Sequence, residues 1–318
     1  MTGAIASPVS GGRPGPVVPG LVAVIIVGYN AKHHLVTCLP SWRDVTYEPL
    51  RLFYVDNGSA DGSLEFMRLE FPGVTAVSSG GNLGYCGGNN VGIRLALKAG
   101  AEFVLILNPD TVVCNPGFMG TLVEHLRRHP EVGKVGPRVF LRDVGQVQNT
   151  VMSWPSIGGS LFARFGTENA SASLREPGAV DVLNGCCVLV RSAALRDVGL
   201  YDEEYFAYGD EAEWDWRAER AGWKRHFVPV DSVVHMQKQS GYDFTSRANF
   251  LIKRNTALWY LNAGKPVSLL GWMTATTAMA VVRTFTAPFQ GQSFVTYLEF
   301  LGKLVQSYVA LLGRLVTG

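Results

Sequence analysis

Residues 21–30 read LVAVIIVGYN. The apolar run is rich in β-branched residues and does not alternate, and it stops at a polar break, Gly28-Tyr29-Asn30. A short continuous run of this kind is expected of a strand covered on both faces, as in a parallel sheet. The pattern recurs downstream. LRLFYVDNGS (50–59) ends in Asp56, Asn57 and Ser59, GVTAVSS (73–79) is a third candidate strand, and FVLILNPD (103–110) is a fourth. Residues 31–42 and the stretch VGIRLALKAG (91–100) read as helices between them. Strands alternating with helices predict an α/β fold with a mostly parallel central sheet and helices on both faces. Polar residues gather just past the carboxyl ends of these strands, the edge where open α/β sheets hold ligands.

Outside this core the chain changes character. Residues 1–20, MTGAIASPVSGGRPGPVVPG, are dominated by Gly, Pro and Ser and predict a disordered lead-in without the apolar stretch of a signal peptide. Residues 117–129 predict a helix, while 142–180 show little period. VDVLNGCCVLV (180–190) reads as a buried strand pair or a bent strand. Asp210 to Ala221 has helical spacing, with Ala212, Trp216 and Glu219 on one face and Gly222 as its stop; the strands WKRHFVPV and VDSVVH follow. Residues 251–318 carry six basic side chains against Glu299 alone, on an apolar and aromatic background. The uncharged stretch 266–282 is at the lower edge of what a spanning helix needs and is diluted by Thr, Ser and Gly. It predicts an interfacial or buried helix, with Trp259, Tyr260, Trp272 and Phe285 at a membrane boundary or in a subunit interface.

The 318 residues are 47% apolar and 17% charged, with a formal charge of +2. That balance excludes a disordered acidic chain and gives no support for nucleic-acid binding. Five cysteines without a C-x-x-C pair argue against a disulfide framework and for a reducing compartment.

No G-x-G-x-x-G follows the first strand and no P-loop pattern occurs, so ordinary dinucleotide binding and P-loop hydrolysis lose their sequence support. Another nucleotide mode stays open. Asp56 at a strand end can accept a hydrogen bond from the N3–H of uracil or thymine. Asn82, Gly84 and the neighbouring glycines can line a base or ribose, or simply form a tight surface loop. Asp110 in Asn108-Pro109-Asp110 can hold Mg²⁺ or Mn²⁺, or end a strand in an ordinary turn. Asp210, Glu211 and Glu213 open a helix between aromatic residues. They can cap it, or one of them can take a proton from a sugar hydroxyl. His235 is a metal ligand or a hydrogen-bonded structural residue, and Arg217 orients a phosphate or bridges a neighbouring acid.

Taken in order, Gly28-Tyr29-Asn30, Val55-Asp56-Asn57-Gly58-Ser59, Gly81-Asn82-Leu83-Gly84, Leu107-Asn108-Pro109-Asp110, Asn184-Gly185-Cys186, Asp210-Glu211-Ala212-Glu213-Trp214, Arg217, Gly222-Trp223 and His235 form a recognisable set. Over residues 21–260 the chain resembles the family 2 inverting glycosyltransferases of GT-A fold. Within them it is similar to the bacterial rhamnosyltransferase branch and its galactofuranosyltransferase relatives. The resemblance implies a GT-A catalytic domain over 21–250 with an added helical region over 251–318. It also implies a metal-dependent inverting hexosyltransferase. Tyr29, Asn30, Asp56, Asn82, Gly84, Asn108 and Asp110 would line the nucleotide-sugar, and Asp110 and His235 would hold Mg²⁺ or Mn²⁺. Glu211 would be the base, with Asp210 and Glu213 beside it. Asn108 replaces the first acid of the usual D-x-D, Glu211 stands where Asp is usual, and Met236-Gln237-Lys238-Gln239-Ser240 replaces the commoner glycine pair after the histidine. The implied donor is dTDP-rhamnose, and the implied acceptor is a cell-envelope glycan or lipid-linked precursor. The expected location is the cytoplasm, peripheral on an anionic inner membrane face, with a homo-oligomer as the competing use of the C-terminal helices. UDP-hexose or UDP-galactofuranose transfer, and a non-catalytic membrane-associated sugar-binding protein, are the alternatives.

Overall fold

Strand β1 (Val18–Gly28) is buried continuously from Leu21 to Ile26, which is what its unalternated apolar sequence requires. It starts at Val18, inside the segment expected to be a disordered lead-in, because the Val18 N–H donates to the carbonyl of Gly100. The structure, a computed structural model, describes residues 15–156, 169–236 and 243–317. The lead-in up to residue 14 and the sequence 237–240 after His235 lie outside these described residues.

Along the chain follow α1 (Lys32–Cys38), β2 (Leu50–Asp56), α2 (Ser63–Glu70), β3 (Thr75–Ser78), α3 (Gly84–Lys98), β4 (Ala101–Leu107), β5 (Thr111–Val113), α4 (Phe118–Arg128) and β6 (Val132–Leu141). Next come β7 (Val151–Met152), α5 (Ala170–Ser173), β8 (Gly178–Ala179), β9 (Val182–Leu183), β10 (Cys187–Arg191), α6 (Ser192–Val198) and α7 (Asp210–Arg220). The chain closes with β11 (Lys224–His235) and three helices, α8 (Arg247–Asn262), α9 (Pro266–Thr286) and α10 (Phe294–Thr317).

The main sheet has the order β3-β2-β1-β4-β10-β6-β11-β5, with β8 also on β11. The first four strands are parallel, while β10 runs antiparallel between β4 and β6. Register sets the site. Gly28 pairs with Asp56, Ile26 with Leu107, and His235 with both Leu141 and Thr111. The carboxyl ends of β1, β2, β4 and β11 are therefore brought to one edge.

Two buried layers flank the sheet. One holds Val24, Ile26, Leu35, Phe118, Leu122 and Leu189. The other runs from Ile25, Ile93 and Val190 through Trp214 to Trp259, Trp272, Phe300 and Leu311. The second layer joins the sheet to the C-terminal helices without a break, and α8 crosses the boundary expected at residue 250. Trp259, Tyr260 and Trp272, placed by sequence at a membrane boundary, are instead buried, and only Phe285 of that group is exposed. Among the described residues, no helix is long and apolar enough to cross a membrane.

Helix α3 begins inside the glycine-rich loop rather than after it. Gly84 has φ +74°, and a Cβ on Gly88 would stand 2.6 Å from Val27 Cγ1, so glycine lets the helix lie directly on β1. Helix α7 buries Ala212, Trp214, Asp215 and Ala218.

Candidate active site

Asp56 ends β2 almost fully buried. Its Oδ2 accepts from the Ser59 N–H at 3.2 Å, and its Oδ1, among the described residues, has no partner. An unpartnered buried carboxylate oxygen is costly unless a ligand donor meets it. Asn57 staples this strand end to α3: Nδ2 donates to the Gly84 carbonyl and Oδ1 accepts from the Leu83 N–H and the Ser79 hydroxyl. The Asn82 side chain accepts from the Gly84 N–H and so shapes the same turn. Asn30, at φ +52°, exchanges hydrogen bonds with Ser59 and Ala60, while Tyr29 stands exposed beside it.

At the end of β4, the Asn108 N–H donates to the Cys186 carbonyl, locking this turn to the start of β10. His235 Nε2 lies 3.1 Å from Asp110 Oδ1 and 3.4 Å from Asn108 Nδ2, and its Nδ1 lies 2.9 Å from Gln148 Oε1. Burial works to raise the Asp110 carboxyl, but the His235 contact outweighs it and holds the group below the usual carboxylate range. With Nδ1–H donated to Gln148, the Nε2 lone pair faces a carboxylate oxygen. A proton or a divalent cation between them satisfies both. A carboxylate and an oriented imidazole are suitable donors for Mg²⁺ or Mn²⁺, which keep waters and take phosphate oxygens for the rest. Among the described residues, no group of three or more His, Cys, Asp or Glu forms a complete metal cage.

The acids of α7 separate into three environments. Glu211 is half-buried, and its Oε1 accepts from the Gly185 N–H at 3.2 Å. Asp210 is 1% exposed, and neither oxygen has a partner among the described residues. Burial, reinforced by the Glu211 charge, pushes its carboxyl well above the ordinary range. Glu213 is gripped by Arg217 at 2.5 and 2.8 Å, and Arg217 also donates to the carbonyls of Val198 and Leu200. Of the two roles open to Arg217, the geometry takes the bridging one. The structure thus brings Asp56, Asn108, Asp110, Glu211 and His235 to the sheet edge and draws Asp210 and Glu213 into the interior.

Sequence reasoning missed several positioning groups. Tyr85 donates to the Gly185 carbonyl at 2.8 Å, linking α3 to the loop that holds Glu211. Gln148 orients His235 from a segment without readable period. Lys134 and Asp215, both fully buried, pair at 3.0 and 3.1 Å; Lys134 also donates to the Leu183 carbonyl, and Asp215 accepts from the Leu183 N–H. Together they tie β9 to α7. Asn255 on α8 places Nδ2 within 2.7–2.9 Å of the carbonyls of Tyr205, Ala207 and Tyr208. That segment leads into α7 and includes Phe206 and Tyr208 at φ +61° and +68°, conformations that cost about 1–3 kcal/mol each.

A GT-A-like α/β sheet with a C-terminal helical extension defines a sugar transferase that uses nucleotide-sugar donors. The model of the family "Glycosyltransferase like family 2" matches residues 19–262, and the chain belongs to that family. It is 32% identical over 239 residues to the N-acetylglucosaminyl-diphospho-decaprenol L-rhamnosyltransferase of Mycobacterium tuberculosis, covering 69% of this chain and 77% of the relative. It is 27% identical over 207 residues to galactofuranosyltransferase GlfT1 of Mycolicibacterium smegmatis, covering 64% and 66%. Among solved structures, the mannosyltransferase PcManGT of Pyrobaculum calidifontis, in complex with GDP-Man and Mn²⁺, superposes with a TM-score of 0.56 at 17% identity, covering 94% of this chain and 89% of that one. That likeness supports the fold alone.

Proposed function

We propose that the protein is an inverting transferase that moves rhamnose from dTDP-rhamnose to a lipid-linked cell-envelope glycan precursor, working at the cytoplasmic face of the plasma membrane. The observation that carries the reading is the buried, unpartnered Oδ1 of Asp56, an acceptor poised for a pyrimidine N3–H at the edge that also bears Glu211. The rhamnosyltransferase relative favours the sugar and the diphosphate-linked acceptor.

In this reading Asp56 takes the base, with Tyr29, Asn30 and the Asn82–Gly84 turn around the nucleoside. Asp110 and His235 would hold Mg²⁺ or Mn²⁺, which supplies positive charge to the diphosphate when bound. Asn108 donates from its amide to the same region. Glu211 accepts the proton of the acceptor hydroxyl as that oxygen bonds to C1 and the bond from C1 to the diphosphate breaks. One displacement inverts the anomeric centre. Glu213 with Arg217 anchors the helix that carries the base.

A donor panel tests this. The full chain is offered dTDP-rhamnose, UDP-galactofuranose and UDP-hexoses with a prenyl-diphosphate-linked acceptor, and nucleotide release and product anomer are measured. Release from dTDP-rhamnose with inverted product is the expected result, and Asp56→Ala raises the donor KM by about tenfold or more through loss of a buried hydrogen bond to the base. Release from UDP-galactofuranose alone would move the sugar assignment. No transfer from any donor would favour a sugar-binding protein.

A further inference from the structure

A cavity of about 290 Å³ lies between the start of α8 and one side of α10. Arg247 and Lys303 supply two cations to its wall, and Thr245 and Thr296 two hydroxyls. Phe250 and the buried Phe300 form a rigid apolar side, their rings edge to face with centroids 6.4 Å apart. Glu299 is the one acid in the lining. Among the described residues, neither Arg247 nor Lys303 takes part in an ion pair. By contrast, Arg254 and Arg314 are both committed to Glu204.

The cavity is one aromatic ring away from the chemistry. The Arg247 guanidinium stands 4.5 Å from the centroid of Phe206. The Phe206 carbonyl accepts from the Cys86 N–H in the first turn of α3, and a Cβ on Gly84 would meet the Phe206 ring at 2.5 Å. Phe206 then leads directly into Asp210-Glu211.

We infer that this cavity is the subsite for the diphosphate of a prenyl-diphosphate-linked acceptor. Arg247 and Lys303 meet the phosphate oxygens, the threonine hydroxyls donate to them, and the first isoprenoid unit lies on Phe250 and Phe300. The sugar next to the diphosphate then reaches past Phe206 toward Glu211. The arrangement matches a dianionic group joined to a hydrocarbon, since charge-assisted donors and apolar surface adjoin. The inference rests on the transferase reading and names the acceptor class for it.

The test measures binding to the full chain with dTDP present to occupy the donor edge. The probes are farnesyl diphosphate, inorganic pyrophosphate and vesicles of phosphatidylglycerol, and the chains compared are wild type, Arg247→Ala, Lys303→Ala and Lys303→Arg. Farnesyl diphosphate should bind the wild type more tightly than pyrophosphate does. Each alanine substitution should weaken it by about tenfold or more, as expected for one charge-assisted contact, and Lys303→Arg should restore it. Vesicle binding should change much less than diphosphate binding in the same variants. Lys303 touches nothing in the segment 205–208, so its effect separates binding from a disturbed loop. Equal farnesyl diphosphate affinity in all four chains would overturn the subsite. So would equal affinity for pyrophosphate, which marks a free-anion site, or a loss confined to vesicles, which marks a headgroup contact. Donor-dependent nucleotide release by the wild type is measured separately: its absence defeats the transferase reading, whereas intact release with unaltered diphosphate binding defeats the subsite alone.

Discussion

Asp210 and Glu211 are neighbours in sequence and differ in almost every physical respect. Asp210 is sealed inside, without a partner among the described residues, and its carboxyl is driven up by burial and by the charge next to it. Glu211 is half-buried, with one oxygen on the Gly185 N–H. A general base has to be reachable by the acceptor, and of the two only Glu211 is. Glu211→Gln keeps the size of the side chain and the contact to Gly185 but cannot take a proton. Turnover should fall by roughly 10²-fold or more, the usual weight of a general base, while donor affinity stays within a few-fold. Asp210→Asn changes a side chain sealed away from the acceptor and should keep most of the activity. Steady-state kinetics on the two variants decide the matter: a dead Asp210→Asn beside a fully active Glu211→Gln would reverse the assignment.

At the level of elements, the strands of the first half were legible because each is a short unalternated apolar run whose last residues turn polar at the ligand edge. The start of α3 was hidden because its glycines are the face laid on the sheet, so no apolar period marks them. The burial of Asp215 on α7 could not be read from the sequence, because its partner Lys134 stands 81 positions earlier on β6. Gln148 was invisible because its segment acts through single hydrogen bonds rather than a repeating pattern. The Lys134–Asp215 pair makes its own prediction. Lys134→Met leaves a buried carboxylate without its cation and should cost about 3–5 kcal/mol in denaturant unfolding, whereas Lys134→Met with Asp215→Leu should cost clearly less. A single variant as stable as wild type would show that water reaches the pair. A second element-level prediction concerns α4 and β11, where His125 Nε2 meets His226 Nδ1 at 3.0 Å beside His129, Glu131 and Arg128. Burial, then the neighbouring histidines, depress the His125 imidazole to about 4. Between about 4 and its ordinary 6.5 the unfolded chain binds the proton more readily than the folded one, so this group makes stability fall as pH drops through that window. His125→Asn should flatten the fall in melting temperature between pH 6.5 and 4. An unchanged pH profile would place the acid sensitivity elsewhere.

Across the whole molecule the C-terminal helices do two things at once. Their inner faces complete the core and clamp the segment before Glu211 through Asn255, while Arg254 and Arg314 converge on Glu204. A chain cut near residue 250 would sever α8 and remove that clamp, so it cannot report on the outer surface alone. The outer faces of α9 and α10 carry Leu270, Val281, Val282 and Phe285, then Val295, Leu298, Val305 and Val309, and the turn between them exposes Phe289 at 91%. Lys265 and Lys303 are exposed on the same helices or at their ends, against Glu299 as the one acid in the region. An apolar face of this extent is covered by something in use, either a bilayer or a second copy of the chain. Under the proposed function the bilayer is the expected occupant, because the prenyl-linked acceptor proposed for this chain would stay in its membrane and the protein would have to come to it. The full chain should then float with vesicles containing phosphatidylglycerol, less with neutral vesicles and less in high salt, since the electrostatic share is screened. Phe285→Ser with Phe289→Ser removes two exposed aromatic rings without touching the core. It should cut flotation severalfold and leave the melting temperature within a few degrees. If that variant floats as well as wild type, or if the wild type forms a stable oligomer that no anionic vesicle recruits, the exposed stripes belong to a subunit interface. The acceptor would then have to be met by the cavity beside Phe206 without help from the bilayer surface.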